Sequence, residues 1–137
     1  MDLRYSGRCL CGAIRFEISG PVEPPVACHC RECQRQSGGV WIAVTAPKES
    51  VEITRERLAW VSVSPMVRRG FCLDCGGYLF WDDLEEDTID VAFGALDDGS
   101  DLTLSAHIHV REARIPLPDD GVPRFEGGLP ESGVASD

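Results

Sequence analysis

Seven cysteines in three short clusters constrain this chain more than any other feature of its sequence. An odd number of cysteines cannot pair completely into disulfides, and the first residues show no apolar export signal, so we expect a reducing compartment. Clustered thiols in such a compartment are typical of a metal site. The clusters are the C-x-C pair Cys9 and Cys11, the C-x-C-x-x-C triplet Cys28, Cys30 and Cys33, and the C-x-x-C pair Cys72 and Cys75.

Two of the three clusters carry a glycine directly after their last cysteine. The pairs are followed by Gly12 and Gly76, whereas the triplet is followed by Gln34. A glycine at this point lets the backbone turn without a Cβ clash, so that amide groups can point at the sulfur atoms. We therefore predict one closed four-thiolate zinc site from the two pairs and a separate site from the triplet.

The triplet supplies three protein ligands, which leaves one position of a tetrahedral zinc open. An open position is typical of a catalytic zinc, which can take water or a substrate thiol. Two other arrangements stay open at this point. One is a second closed zinc, completed by a carboxylate or by His29, His107 or His109, and the other is a single zinc with three free thiols in the triplet.

Composition and charge exclude several classes of protein. The chain has 137 residues, of which 43% are hydrophobic, and this is ordinary for a globular protein of one domain. Its net charge of −10 argues against a nucleic-acid partner, because nucleic-acid-binding proteins normally carry a basic face. No apolar run approaches the roughly 18 residues of a membrane span. We therefore expect a cytoplasmic protein with no membrane partner.

Short apolar segments separated by turns of glycine, proline and aspartate predict a mainly β fold with at most short helices. We expect several small antiparallel sheets and one short helix that begins near Cys30 and ends at Gly38–Gly39. Pro21, Pro24 and Pro25 are expected to interrupt the chain before the triplet, and the acidic run 82–87 to form a solvated loop. The predicted strands cover residues 14–18, 40–45, 51–54, 58–63, 66–71, 78–81, 89–93 and 106–110.

Three segments around the cysteines resemble the glutathione-dependent formaldehyde-activating enzyme family, also called the centromere-protein-V/formaldehyde-activating domain. The order and spacing of all seven cysteines match that family, and the resemblance covers roughly residues 4–128. Residues 123–127, which read PRFEG, also resemble the family's C-terminal signature. The three segments are GRCLCGAIRF at 7–16, CHCRECQR at 28–35 and RGFCLDCG at 69–76.

The resemblance implies a zinc-stapled fold of the β-tent type and a carbon–sulfur lyase that condenses glutathione with formaldehyde to S-hydroxymethylglutathione. The expected partners are therefore a small thiol such as glutathione and an aldehyde. We expect one zinc-binding formaldehyde-activating-type domain over residues 1–128 and a disordered acidic tail over residues 129–137. The implied ligands of the two zinc ions are Cys9, Cys11, Cys72 and Cys75 for a structural zinc, and Cys28, Cys30 and Cys33 for a second zinc regarded as catalytic.

Two other functions are alternatives to this lyase. The first is a zinc-stabilised binding module without catalysis. The second is a thiol redox enzyme on a related zinc scaffold, which needs a reactive cysteine outside the zinc sites, whereas here every cysteine is assigned to one. The sequence shows no glutathione-pocket motif. The triplet does have cations beside it that can balance the negative charge of three thiolates around Zn²⁺, namely His29, Arg31 and Arg35.

Overall fold

The computed structural model describes residues 4–130, and the chain divides into two units. The first unit comprises residues 4–23 and 43–102, and the second comprises residues 24–42 and 103–130 of the described chain. The elements are β1 (Arg4–Arg8), β2 (Arg15–Ser19), β3 (Glu23–Cys28), α1 (Arg31–Ser37), β4 (Trp41–Pro47), β5 (Val51–Ile53), β6 (Leu58–Ser62), β7 (Val67–Cys72), β8 (Tyr78–Asp83), β9 (Thr88–Ala92) and β10 (Ala106–Ile108), with single turns of 3-10 helix at Lys48–Ser50, Phe93–Ala95 and Val110–Glu112.

The first unit is built from antiparallel strands, which confirms the prediction of a mainly β fold. Strands β1, β2 and β5 form a three-stranded sheet, and strands β4, β9, β8, β7 and β6 pair in that order. Buried and exposed positions alternate along β1 and β2. Apolar side chains from both sets of strands meet in one core, in which Ile14, Val44 and Phe80 are completely buried. This core fixes the end of β7 at Cys72, which belongs to the same cluster of buried residues.

Strand β1 lies where the sequence pattern predicts no strand. Its inward positions are Tyr5 and Gly7, and the second has no side chain that could extend an apolar alternation. The register pairs Gly7 with Phe16 of β2, and the Phe16 ring fills the space that a Cβ would need. The strand therefore depends on a cross-strand contact that the local sequence does not reveal.

The acidic run 82–87 is only partly a loop, so the prediction for its first two residues is wrong. Asp82 and Asp83 belong to β8, and Asp82 is only 3% exposed. Two cations of the first unit neutralise the buried carboxylate: Lys48 Nζ lies 2.9 Å from Oδ1 and Arg68 Nε lies 2.9 Å from Oδ2. Burial raises the pKa of Asp82, but these two cations outweigh burial and hold the pKa below its usual value. The Arg68 guanidinium also lies 3.8 Å above the ring of Trp60.

The second unit contains the parallel pair β3 and β10. Pro21 lies between β2 and β3, as predicted. Pro24 and Pro25 do not interrupt the chain, because β3 runs through both of them. Pro25 has no N–H to donate, but its carbonyl oxygen accepts from both the backbone N–H and the hydroxyl of Ser105, at 2.8 and 2.9 Å. Strand β10 ends two residues earlier than predicted, since His109 has left the extended region with a φ of 54°.

The helix prediction is confirmed at both ends. The Cys30 side chain caps α1 by accepting from the Cys33 backbone N–H, and Gly38 ends the helix in the left-handed conformation with a φ of 90°. The structure has no helix long and apolar enough to cross a membrane within residues 4–130. The predicted single domain over residues 1–128 stays a prediction. The predicted tail lies mostly outside the described residues, which end at residue 130.

Candidate metal centres

Four cysteine sulfurs of the first unit form one cluster, as the glycine pattern predicts. The Sγ atoms all lie within 4.8 Å of one another, and all seven cysteines are free thiols. A tetrahedron around zinc with metal–sulfur distances of about 2.3 Å has edges of about 3.8 Å. The measured edges fit this value, since Cys11 Sγ lies 3.7 Å from Cys9 Sγ and 3.8 Å from Cys72 Sγ. The cluster of Cys9, Cys11, Cys72 and Cys75, called the four-cysteine cluster from here on, can therefore hold a tetrahedral metal ion.

Two tight turns build the four-cysteine cluster. Gly12 and Gly76 adopt φ angles of 82° and 76°, which side chains with a Cβ rarely reach. In these turns the backbone N–H groups of Ile14 and Asp74 each point at a sulfur atom, at N–S distances of 3.3 Å. Hydrogen-bond donors aimed at sulfur favour the thiolate, which is the form that binds metal.

Cys75 shows the electrostatic effect of this arrangement most clearly. The backbone N–H groups of Cys11 and Gly77 lower its pKa to about 6, against an ordinary value of 9.0. Cys9 and Cys72 are buried while Cys11 is exposed, so the cluster lies at the edge of the core and joins the end of β1 to the end of β7. A metal ion held there would tie together segments that are 61 positions apart in the sequence.

Three sulfurs of the second unit form the other cluster, called the three-cysteine cluster from here on. Its Sγ atoms also lie within 4.8 Å of one another. All three come from one short stretch: Cys28 is the last residue of β3, Cys30 caps α1, and Cys33 lies in the first turn of α1. The adjacent sulfurs of Cys30 and Cys33, together with burial, raise the pKa of Cys28 far above its ordinary value. The raised pKa means that the Cys28 thiolate is unfavourable on its own. A metal cation among the three sulfurs would stabilise the thiolate, which suits the cluster to a metal ion.

The histidines named as further ligand candidates lie outside this group of sulfurs. Within residues 4–130, the group contains no histidine nitrogen and no carboxylate oxygen. His29 and His107 instead contact each other, with 2.9 Å between His29 Nε2 and His107 Nδ1. His107 Nε2 lies 2.8 Å from Asp120 Oδ2, and His109 Nδ1 lies 4.0 Å from a carboxylate oxygen of Glu112.

The contact with Asp120 determines which nitrogen atoms of the two histidine rings carry a proton. The carboxylate can only accept, so His107 Nε2 carries a proton and donates to Asp120. In neutral His107 the Nδ1 atom then accepts, and His29 Nε2–H donates to it. Burial and the nearby His107 and Arg124 lower the pKa of His29. The His107 hydrogen bond holds the pKa of Asp120 below its usual value.

Sequence reasoning did not find the residues that hold the triplet turn in place. The Gln34 side-chain amide donates to the His29 carbonyl at 2.7 Å and to the Glu112 carbonyl at 3.0 Å. The Glu112 carboxylate accepts from the Arg31 backbone N–H at 2.9 Å. These contacts join α1 to a 3-10 turn about 80 residues further along the chain. Only the structure reveals them, because no sequence pattern links Gln34 to Glu112.

The PRFEG segment borders β10 in the same unit. The His107 backbone N–H donates to Pro123 at 2.9 Å, and the Phe125 N–H donates back to the His107 carbonyl at 2.9 Å. The His109 N–H donates to Gly127 at 2.7 Å. The C-terminal segment thus supports the strand that carries His107.

A cavity of about 380 Å³ lies beside the three-cysteine cluster in the second unit. His29, which separates two of the cysteines in the sequence, forms part of its wall. Arg31, Arg35 and Arg114 also line it, and Ala113 and the segment 115–118 contribute an apolar wall. The cations named at the sequence level therefore do lie together beside the cluster, and Arg114 joins them.

The chain is similar to one protein family and to a solved structure. The family described as "Glutathione-dependent formaldehyde-activating enzyme" matches residues 4–112, so the PRFEG segment lies beyond the matched range. A crystal structure of a Rhodobacter sphaeroides protein aligns over 88% of this chain and 99% of that chain, with a TM-score of 0.56 and 21% identity, and shows the same fold. No curated protein matches the chain. The family match spans most of the chain and includes both cysteine clusters, so the chain belongs to the glutathione-dependent formaldehyde-activating enzyme family.

Proposed function

We propose that this protein is a zinc-dependent carbon–sulfur lyase-type enzyme that joins a small thiol to an aldehyde and splits the adduct again. The single observation that carries the proposal is the three-cysteine cluster, three thiols from one turn beside a cavity, in a chain of this family. S-hydroxymethylglutathione synthesis from glutathione and formaldehyde is the specific reaction that the family's description supports.

Cys28, Cys30 and Cys33 are the residues that would hold the zinc of this site, and their all-sulfur donor set suits it. Zinc bound there supplies a positive charge that stabilises a substrate thiol in its thiolate form. The protein contributes only three donors to this cluster within the described residues, so a small molecule can supply a further donor. We propose that the four-cysteine cluster holds a second, structural zinc.

The residues around the three-cysteine cluster position it and balance its charge. Gln34 and Glu112 hold the turn that carries the cysteines. His107 and Asp120 hold the His29 ring, which lines the cavity, in one orientation. Three thiolates and Zn²⁺ leave a net charge of −1. The arginines that line the cavity offset this charge when an anionic substrate approaches.

The proposed reaction balances without an oxidant or a reductant. The thiol sulfur forms a bond to the aldehyde carbon, and the electron pair of the C=O π bond moves to the oxygen. The proton lost by the thiol ends on that oxygen, which gives a hydroxymethyl thioether when the aldehyde is formaldehyde. The reverse reaction breaks the carbon–sulfur bond and returns the proton to sulfur.

The domain and location that accompany this function are also proposals. We propose one zinc-binding domain over residues 1–128 followed by an acidic tail over 129–137. We propose a cytoplasmic location, because seven cysteines without a disulfide are typical of a reducing compartment. Glutathione is available in the same compartment.

The exchange of carbon-13-labelled formaldehyde between its free and glutathione-bound forms, followed by NMR, tests the reaction. We expect the zinc-loaded protein to accelerate the exchange well beyond the spontaneous rate. The Cys30→Ala variant should restore the spontaneous rate. An exchange rate that the wild-type protein leaves unchanged would favour the alternative, a zinc-stabilised binding module without catalysis.

A further inference from the structure

The cavity beside the three-cysteine cluster has two chemically different walls. Its volume of about 380 Å³ lies at the small end of the range of about 300–1,000 Å³ that small-molecule sites occupy. One wall carries the guanidinium groups of Arg31, Arg35 and Arg114. The other is formed by Val40 and Ala113 and by the apolar segment 115–118. An occupant of this cavity must therefore match both a cationic and an apolar surface.

The cationic wall offers groups that other side chains do not already neutralise. Within residues 4–130, Arg35 and Arg114 form no ion pair with a carboxylate. Arg31 donates from its side chain to the amide oxygen of Gln34, which is a neutral partner. Unneutralised guanidinium groups at one cavity are notable in a chain with a net charge of −10. Their planar fork of donors is suited to a carboxylate, which it can bind through two parallel hydrogen bonds.

The apolar wall of the cavity is exposed to solvent. Ile115 is 78% exposed and Val40 is 44% exposed, although both are large apolar side chains. Pro116 and Pro118 restrict the backbone of the same segment, so this wall is preformed. Exposed apolar side chains at a preformed cavity indicate a ligand that buries an apolar group against them.

We propose that this cavity binds a small carboxylate that bears a short alkyl group. The carboxylate contacts the guanidinium groups of Arg35 and Arg114, while the alkyl group packs on Ile115. This binding does not depend on the function proposed above, because it needs no sulfur in the ligand.

Isothermal titration calorimetry of the zinc-loaded protein with thiol-free probes tests the binding of the carboxylate. We expect hexanoate to bind at least tenfold more tightly than acetate, because only hexanoate has methylene groups to bury on Ile115. Hexylammonium, which has a similar chain and the opposite charge, should bind at least tenfold more weakly than hexanoate. Equal affinities across these three probes would overturn the proposal.

Substitutions separate the cavity from carboxylate binding at the metal. The double variant Arg35→Gln/Arg114→Gln should weaken hexanoate binding at least tenfold, because two charged hydrogen-bonding groups are lost. Ile115→Ser should reduce the preference for hexanoate over acetate. All three residues are exposed and can be changed without disturbing the core. Arg55→Gln, at an exposed arginine of the first unit, is the matched control and should leave binding unchanged.

Two outcomes distinguish this proposal from the proposed function. If the Arg35→Gln/Arg114→Gln variant binds hexanoate as tightly as the wild type, the carboxylate binds elsewhere. This result would overturn the cavity proposal, whatever the formaldehyde exchange shows. Hexanoate binding that follows the predicted pattern, in a protein that does not accelerate the exchange, would keep the cavity proposal and reject the enzyme.

Discussion

Replacing Cys11 by serine should destabilise the protein severely, although Cys11 is the one exposed residue of the four-cysteine cluster. Its exposure makes the variant informative, because a serine hydroxyl at this position can hydrogen-bond to water and carries no burial penalty. The change removes one of four metal ligands and little else. When the free zinc concentration is below the dissociation constant of the remaining three-ligand site, the variant binds no metal and loses the whole cross-link.

The magnitude follows from the length of chain that the cross-link closes. Cys11 and Cys72 are 61 positions apart. A cross-link that closes a loop of this length lowers the entropy of the unfolded chain by an amount worth about 4 kcal/mol at 25 °C. The net stability of a domain is only about 5–15 kcal/mol, so the variant should lose a large part of it.

The three-cysteine cluster provides the matched control. Cys28 and Cys33 are five positions apart, and the same relation gives about 2 kcal/mol for a loop this short. Urea unfolding in zinc-buffered solution, with zinc content measured on the same samples, should therefore show a larger loss for Cys11→Ser than for Cys30→Ser. Equal losses, or a Cys11→Ser variant as stable as the wild type, would refute a metal cross-link at the four-cysteine cluster.

The remaining predictions concern the core of the first unit and are checked by urea unfolding. Burial raises the pKa of Asp90 to about 6, so the folded state prefers the neutral acid and its ionisation destabilises the fold at higher pH. The Asp90→Asn variant keeps an oxygen that can accept from the Thr45 hydroxyl. It should stabilise the protein by about 1–3 kcal/mol at pH 8 and by little at pH 4. An equal gain in stability at both pH values would contradict this prediction. Gly7→Ala should cost about 1–3 kcal/mol because its Cβ would overlap the Phe16 ring and the Ala95 carbonyl, whereas Gly94→Ala, with open space around it, should change stability by less than about 0.5 kcal/mol.

The cysteine clusters could be predicted from sequence because their geometry is mainly local. Spacing places Cys28, Cys30 and Cys33 on one strand end and one helix start, and Gly38 marks where that helix ends. The association of the two pairs in the four-cysteine cluster is non-local. It was nevertheless predictable, because Gly12 and Gly76 reveal two turns of the same kind.

What the sequence did not predict depends on contacts between distant segments. Strand β3 contains two prolines, and it forms because the Ser105 side chain and backbone supply donors to Pro25 from a remote part of the chain. Asp82 reads as part of a solvated acidic run, yet Lys48 and Arg68 allow its burial.

The surroundings of the three-cysteine cluster were hidden for the same reason. The contact between His29 and His107 joins residues 78 positions apart, and Asp120 completes the chain of contacts. The apolar wall of the cavity reads in the sequence as an unremarkable loop. Only the structure shows that this apolar wall lines the same cavity as Arg35 and Arg114.

The central claim is that the three-cysteine cluster is a metal site that accepts a small thiol, and cobalt substituted at this cluster tests it most directly. Adding glutathione should change the visible spectrum, because a further sulfur donor strengthens thiolate-to-metal charge transfer, whereas S-methylglutathione, which has no ionisable thiol, should not. Cys30→Ala should abolish the change while leaving the four-cysteine cluster and the fold intact. A cobalt spectrum that responds to no small thiol would contradict the claim.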